Sequence, residues 1–151
     1  IESTVLYQQF ITKIHAATGQ FALAVTGGGT RAIAELFAVS GASRSVLEAV
    51  VPYSERALTD YLGSQGENSC TTRTARAMAM VAWQRAKRFS GLSSSFGIGC
   101  TAAIKTDRTR QGQDRCHLAL QNDQSTVEVT LLLEKNLSRQ QQEQICTHAV
   151  L

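Results

Sequence analysis

The spacing of apolar positions changes period several times along this chain, and each change marks a predicted element. Over residues 3–18, Leu6, Phe10, Ile14 and Ala17 share one stripe while Gln8, Gln9 and Lys13 fall elsewhere, which predicts an amphipathic helix that Gly19 ends. His15 lies in its last turn, where partial positive charge suits the helix dipole. Phe21 to Val25 lacks polar alternation and reads as a buried strand. Ala32, Ile33, Leu36 and Phe37 return to helical spacing, Ser40-Gly41-Ala42-Ser43 ends that helix, and Ser43 or Ser45 caps a further turn. Residues 46–53 hold a strand with Pro52 at its end. Ser54-Glu55 then opens a helix burying Ala57, Leu58, Tyr61 and Leu62, and Gly63 stops it.

A polar loop, 64–69, precedes the longest predicted helix, from Thr71 or Thr72 to Phe89. Ala75, Met78, Ala79, Ala82, Ala86 and Phe89 form its buried stripe, with Arg73, Arg76, Arg85, Lys87 and Arg88 mostly off it. After a Ser-rich hinge at 91–95, residues 96–103 read as a strand whose Gly97 and Gly99 admit close approach by a neighbour or a ligand. A charged loop, 105–114, leads to two strands, 115–122 and 126–134, joined by Asn122-Asp123-Gln124-Ser125 as a β-hairpin. Ser138 and Gln141 make a capping box for a last helix burying Ile145, Ala149 and Val150. The order αβαβααβββα predicts one α/β domain over residues 1–151, a three-layer α/β/α sandwich on a mixed sheet.

Chemistry concentrates in Thr26-Gly27-Gly28-Gly29-Thr30, between the first strand and the second helix. A helix that opens on a glycine turn leaves backbone N–H groups unpaired at the positive end of its dipole, which suits an anion or a developing oxyanion. The turn is neither a Walker A loop nor a GxGxxG fingerprint, since no Gly-Lys-Ser/Thr follows and the glycine spacing differs. Arg31 adds charge on the first helical turn, and Lys105, Arg108 and Arg110 in the long loop are placed to close over an anion.

Bulk composition narrows the classes. A chain 43% hydrophobic can build a proper core, and a net charge of +3 without an aromatic-interleaved basic run argues against nucleic acid. No apolar stretch is long enough for a membrane helix, and no signal peptide opens the chain. Cys70, Cys100, Cys116 and Cys146 show no metal-ligand spacing, so they read as reduced thiols of a cytoplasmic protein with no metal and no cofactor. The start at Ile1 instead of Met suggests a piece of something longer.

The glycine turn, the Gly41-Ala42-Ser43 bend and Val50-Val51-Pro52-Tyr53-Ser54 together resemble the C-terminal domain of the CinA family, as a divergent member of eukaryotic type. Bacterial members of that family are nicotinamide-nucleotide amidases, which hydrolyse nicotinamide mononucleotide to nicotinic acid mononucleotide and ammonia. The family pattern A-E-S-C-T-G-G, then P-G-S/A-S, then V-V-T-Y-S-N-x-x-K and L-G, lies without gaps on Ala24 to Thr30, Ser40 to Ser43 and Val50 to Gly63. Its A-V-T-G-x-x-G-P loop falls on Gly97 to Leu120. The resemblance implies a site from Thr26 to Arg31 with Tyr53, Ser54, Gly99, Cys100, Lys105 and Arg108, a tendency to form homodimers, and fusion to a nucleotidylyltransferase-like domain.

At the family's catalytic positions the residues differ. Thr26 stands for the nucleophilic Ser, Leu58 for the activating Lys, and Gly97-Ile98-Gly99-Cys100 for A-V-T-G. A hydroxyl without a base loses roughly 10²–10⁴-fold in reactivity. The expectation is a nucleotide- or anion-binding domain without Ser–Lys amidase chemistry. One alternative is a rearranged amidohydrolase in which Thr26 attacks, Gly28 and Gly29 hold the oxyanion and Lys105 is the base. A Cys100–His117 pair is a weaker variant of it. The other alternative is a structural or interaction module in which the glycine turn is tight packing, and Tyr61, Met78, Met80 and Trp83 are core.

Overall fold

A computed structural model describes residues 2–63, 70–90, 94–107 and 112–151, with side chains from Tyr7 onward. The polar loop 64–69, much of the hinge, Arg108 and Arg110 lie outside the described residues. The elements run α1 (Glu2–Ala16), β1 (Gln20–Thr26), α2 (Arg31–Ala38), α3 (Ala42–Ser45), β2 (Val46–Val50), α4 (Glu55–Leu62), α5 (Thr72–Phe89), β3 (Ser95–Ala103), β4 (Asp114–Gln121), β5 (Thr126–Leu133) and α6 (Arg139–Val150).

One five-stranded mixed sheet has the order β2-β1-β3-β4-β5. β1 is parallel to β2 and β3, and β4 and β5 follow antiparallel. From β1 the chain steps to β2 on one side, then crosses back over β1 to reach β3. Crossovers of one hand in opposite directions must place their helices on opposite faces. So α2 and α3 join α1 and α6 on one face, and α4 and α5 cover the other. That is the expected α/β/α sandwich.

β1 is buried from Phe21 to Thr26 because helices cover both its faces. Phe21, Leu23 and Val25 enter the main core with Tyr7, Ile11, Leu36, Cys100, Cys116, Leu118 and Cys146. Ala22 and Ala24 face α5 and α4, where small side chains let the long helix lie close. Gly97 and Gly99 serve the same approach. A Cβ on Gly97 would sit 2.1 Å from the Trp83 backbone nitrogen, and one on Gly99 would sit 2.4 Å from the Ala75 carbonyl. The close neighbour at these glycines is α5.

Several core assignments shift. Phe10, Phe37, Phe89 and Ile145 are 53%, 55%, 45% and 38% exposed. Phe89 instead lies beneath the guanidinium groups of Arg85 and Arg88. Ala57 is also exposed. His15 is the reverse case: it is 1% exposed, with Nδ1 2.5 Å from Ser45 Oγ and Nε2 2.9 Å from the Leu36 carbonyl. The carbonyl can only accept, so Nε2 carries a proton and the ring ties α1 to α2 and α3. It is a buried fastener.

Candidate functional site: a glycine turn clamped by the last helix

β1 ends at Thr26, in register with Thr101 of β3, and the chain turns through Gly27 and Gly29 at φ 83° and 88°. A Cβ on Gly27 would lie 1.9 Å from the Ala102 carbonyl oxygen, so glycine is obligatory there. Gly28 packs against Ala102 and Ile104, and Gly29 against Cys100, Cys146 and Val150. The turn is pressed between β3 and α6.

Thr30 stands at the N-cap of α2 with helical dihedrals and no capping bond from its side chain. The anion at this helix start comes from 112 and 114 residues away. Gly29 N–H donates to Glu143 Oε2 at 2.8 Å, and Arg31 N–H donates to Oε1 of the same carboxylate at 3.3 Å. Thr147 Oγ1 donates to that Oε1 at 3.3 Å, one helical turn further along α6. A charged acceptor on orphan amides at the positive end of a helix dipole is favourable on both counts. The turn expected to receive an external anion therefore holds an internal one at two of its amides.

The other anticipated residues divide. Arg31 pairs with Glu35 at 3.4 Å on its own helix. Ser54 caps α4, accepting from Ala57 N–H at 3.1 Å, and Tyr53 is 71% exposed beside it. Leu58 is buried against Ala24 and Met78, on the face of β1 that also carries Thr26. Lys105 is exposed, its Nζ 3.3 Å from the Lys135 carbonyl, while its backbone is held by Gln142 at 2.7 Å and Arg139 at 2.6 Å. Its amine is engaged there, on the exposed surface.

Cys100 and His117 lie on opposite faces of the sheet. Cys100 faces Cys116 at 3.6 Å and donates to the Gly28 carbonyl at 3.7 Å. His117 faces Thr72 and Thr130, 3.1 and 2.9 Å from its Nδ1. Burial and the Arg115 charge hold the His117 pKa below its ordinary value. Cys116 is pushed up by its bond with Cys100, and Cys146 by its bond with Cys116 and by burial. Cys116 and Cys146 are thiols kept protonated, unsuited to nucleophilic work.

Two buried groups that sequence reasoning missed make the clamp rigid. Gln142, fully buried, donates to Asp114 Oδ2 at 2.9 Å and to the Glu134 carbonyl at 3.1 Å, while accepting from Lys105 N–H. Asp114, 4% exposed, also faces Lys135 at 3.9 Å. Gln142 and Glu143 are adjacent on α6, so fixing one orients the other. The only local signal was the capping box of Ser138 and Gln141, present as expected.

No family model matches the sequence, and no curated protein does. Solved structures do. The competence/damage inducible protein CihA from Agrobacterium tumefaciens is similar over 97% of this chain and 90% of its own, with TM-score 0.78 and 19% identity. A competence or damage-inducible protein from Enterobacter asburiae matches over 97% and 92%, with TM-score 0.77 and 15% identity. A CinA superfamily protein from Escherichia coli matches over 96% and 82%, with TM-score 0.71 and 15% identity. At such identities the likeness speaks for the fold, and the resemblance read in the turn, the bend and the Val-Pro-Tyr-Ser segment is borne out there: this chain carries the fold of the CinA superfamily.

Proposed function

We propose that this chain is a CinA-fold structural or interaction module that does not run the family's amidase reaction, its glycine turn serving as a clamp for α6. The observation that carries this reading is the Glu143 carboxylate on the Gly29 and Arg31 amides. An oxyanion hole works by holding donors ready for charge that develops in the transition state. Donors already bonded to a carboxylate are not ready. Thr26 is 6% exposed, Leu58, which the resemblance sets against the family's Lys, is a buried apolar side chain, and Lys105 Nζ is engaged by a carbonyl.

Incubation with nicotinamide mononucleotide and an ammonia assay tests the reading, with no release expected. Ammonia release that disappears in Thr26→Ala would establish the rearranged amidohydrolase instead. Thermal midpoints with nicotinamide mononucleotide, ADP-ribose or ATP are expected to stay where they are.

A second reading, a nucleotide- or anion-binding domain, is favoured by one observation: the cradle does accept a carboxylate, and Glu143 is only half-buried. On that reading the ligand displaces Glu143, and the wild-type midpoint rises. A ligand at 100 times its Kd adds about 2.7 kcal/mol. A rise seen only in Glu143→Ala would mean that the site is ligand-competent but closed in the native chain.

A further inference from the structure

Between the flank of α5 and the hairpin of β4 and β5 lies a cleft of about 620 Å³, large enough for a small molecule. Ala77 and Met80 supply its apolar lining, Arg73 and Arg76 its charge, and Thr72, Gln121 and Thr126 its neutral polar groups. The neutral groups are already committed. Thr126 Oγ1 donates to Gln121 Oε1, and Gln121 Nε2 donates to the Asn122 carbonyl at 2.7 Å. Thr72 Oγ1 lies 3.1 Å from His117 Nδ1 and 3.3 Å from Thr130 Oγ1. The two guanidinium groups differ from these and from each other. Arg76 meets Glu128 at 3.5 Å, with both side chains about half exposed, a setting in which an ion pair holds its partner weakly. Arg73, one helical turn away, is exposed and has no acidic partner among the described residues. No carboxylate stands in the first turn of α5 to offset it.

We propose that this cleft binds a singly charged organic acid with an apolar body, its anionic group on Arg73 and its hydrocarbon or aromatic part against Ala77 and Met80. The charge of the occupant follows from the charges around it. Two guanidinium groups against the one carboxylate of Glu128 leave a single positive charge to be met. A neutral apolar molecule would cover Arg73 and strip it of water without replacing the lost contacts, which is costly. A polyanion such as a nucleotide would bring more negative charge than the cleft offsets and set it beside Glu128. A carboxylate instead matches the planar fork of one guanidinium. The body follows from Met80, which is 37% exposed and gains burial only against an apolar partner. The cleft shares no residue with the glycine turn, so its occupancy is separate from the clamp.

The test is a fluorescence titration of the native chain with anilinonaphthalene sulfonate, a monoanion on an apolar body. Trp83, the chain's one tryptophan, stands a helical turn past Met80 and reports the dye's arrival by energy transfer. One equivalent is expected to bind with a Kd on the order of 10–100 μM, and octanoate is expected to displace it. Arg73→Gln is expected to weaken binding at least about fivefold, and the uncharged dye phenylnaphthylamine to bind wild type weaker by a similar factor. Glu128→Gln, which frees Arg76, is expected to tighten binding roughly two- to fivefold. Both substitutions are on exposed side chains, and a thermal midpoint close to wild type checks that each variant is folded. No binding up to about 1 mM, dye that octanoate leaves in place, or an affinity unchanged by either substitution would overturn the proposal. So would equal binding of the uncharged dye, or a dye signal that comes with a lowered midpoint and so reports unfolding.

Discussion

Protonation and hydrogen bonding at single residues decide what this molecule can do. Cys100, Cys116 and Cys146 are fully buried and bonded to one another in series, and Cys70 is half-buried. Native protein treated with a thiol reagent is therefore expected to modify at most Cys70 quickly, with the other three reacting only on unfolding. Fast loss of all four would contradict this packing. His117 titrates below its ordinary 6.5 because burial and Arg115 disfavour its charged form. The unfolded chain then binds the proton more readily, so this contribution to stability is complete above about pH 6.5 and is lost as pH falls from there through the lower folded-state pKa. His117→Gln is expected to flatten that part of the stability–pH curve. Tyr61 is pushed up to about 12, chiefly by burial and then by the Glu48 charge. Glu48 itself is held below the usual carboxylate range by the two-toothed grip of Arg85 at 2.5 and 2.6 Å. An alkaline absorbance titration should show a late tyrosine step that Tyr61→Phe removes.

Among the elements, α5 depends most on what its neighbours lack. Its alanine stripe lies on Gly97 and Gly99 so closely that a methyl group at either meets backbone, which cannot swing aside as a side chain can. Gly97→Ala is expected to cost at least about 2–3 kcal/mol, read as a lower urea midpoint, whereas Gly63→Ala, which meets nothing within 4 Å, should cost only its positive-φ strain. The elements were legible because their signals are local: Ser54, Thr71 and Ser138 cap α4, α5 and α6, and Gly63 ends α4 in the left-handed conformation. The exposure of Phe10, Phe37 and Phe89 was not legible, since helical spacing gives a stripe but not which part of it the sheet covers. Gly97 and Gly99 announced a close approach without saying whether a helix or a ligand made it.

At the scale of the whole molecule, a mixed sheet between two helical layers followed from the alternation of elements, and the likeness to CinA superfamily structures agrees; the strand order and the side each helix takes did not follow. The state of the glycine turn did not follow. Glu143 and Gln142 come from the last helix, more than a hundred residues after Gly29, and nothing in their neighbours' spacing marks them as turn partners. A helix start with free amides and one with occupied amides are written by the same glycines. The thermal midpoint of Glu143→Gln against wild type, without ligand, tests the clamp most directly. Replacing the carboxylate takes a charged acceptor from these two amides and leaves an amide nitrogen facing one of them, at a cost of about 1–3 kcal/mol, or roughly 3–10 °C for a chain of this size. A fall in that range is the predicted result, and a midpoint unchanged or raised would contradict the clamp.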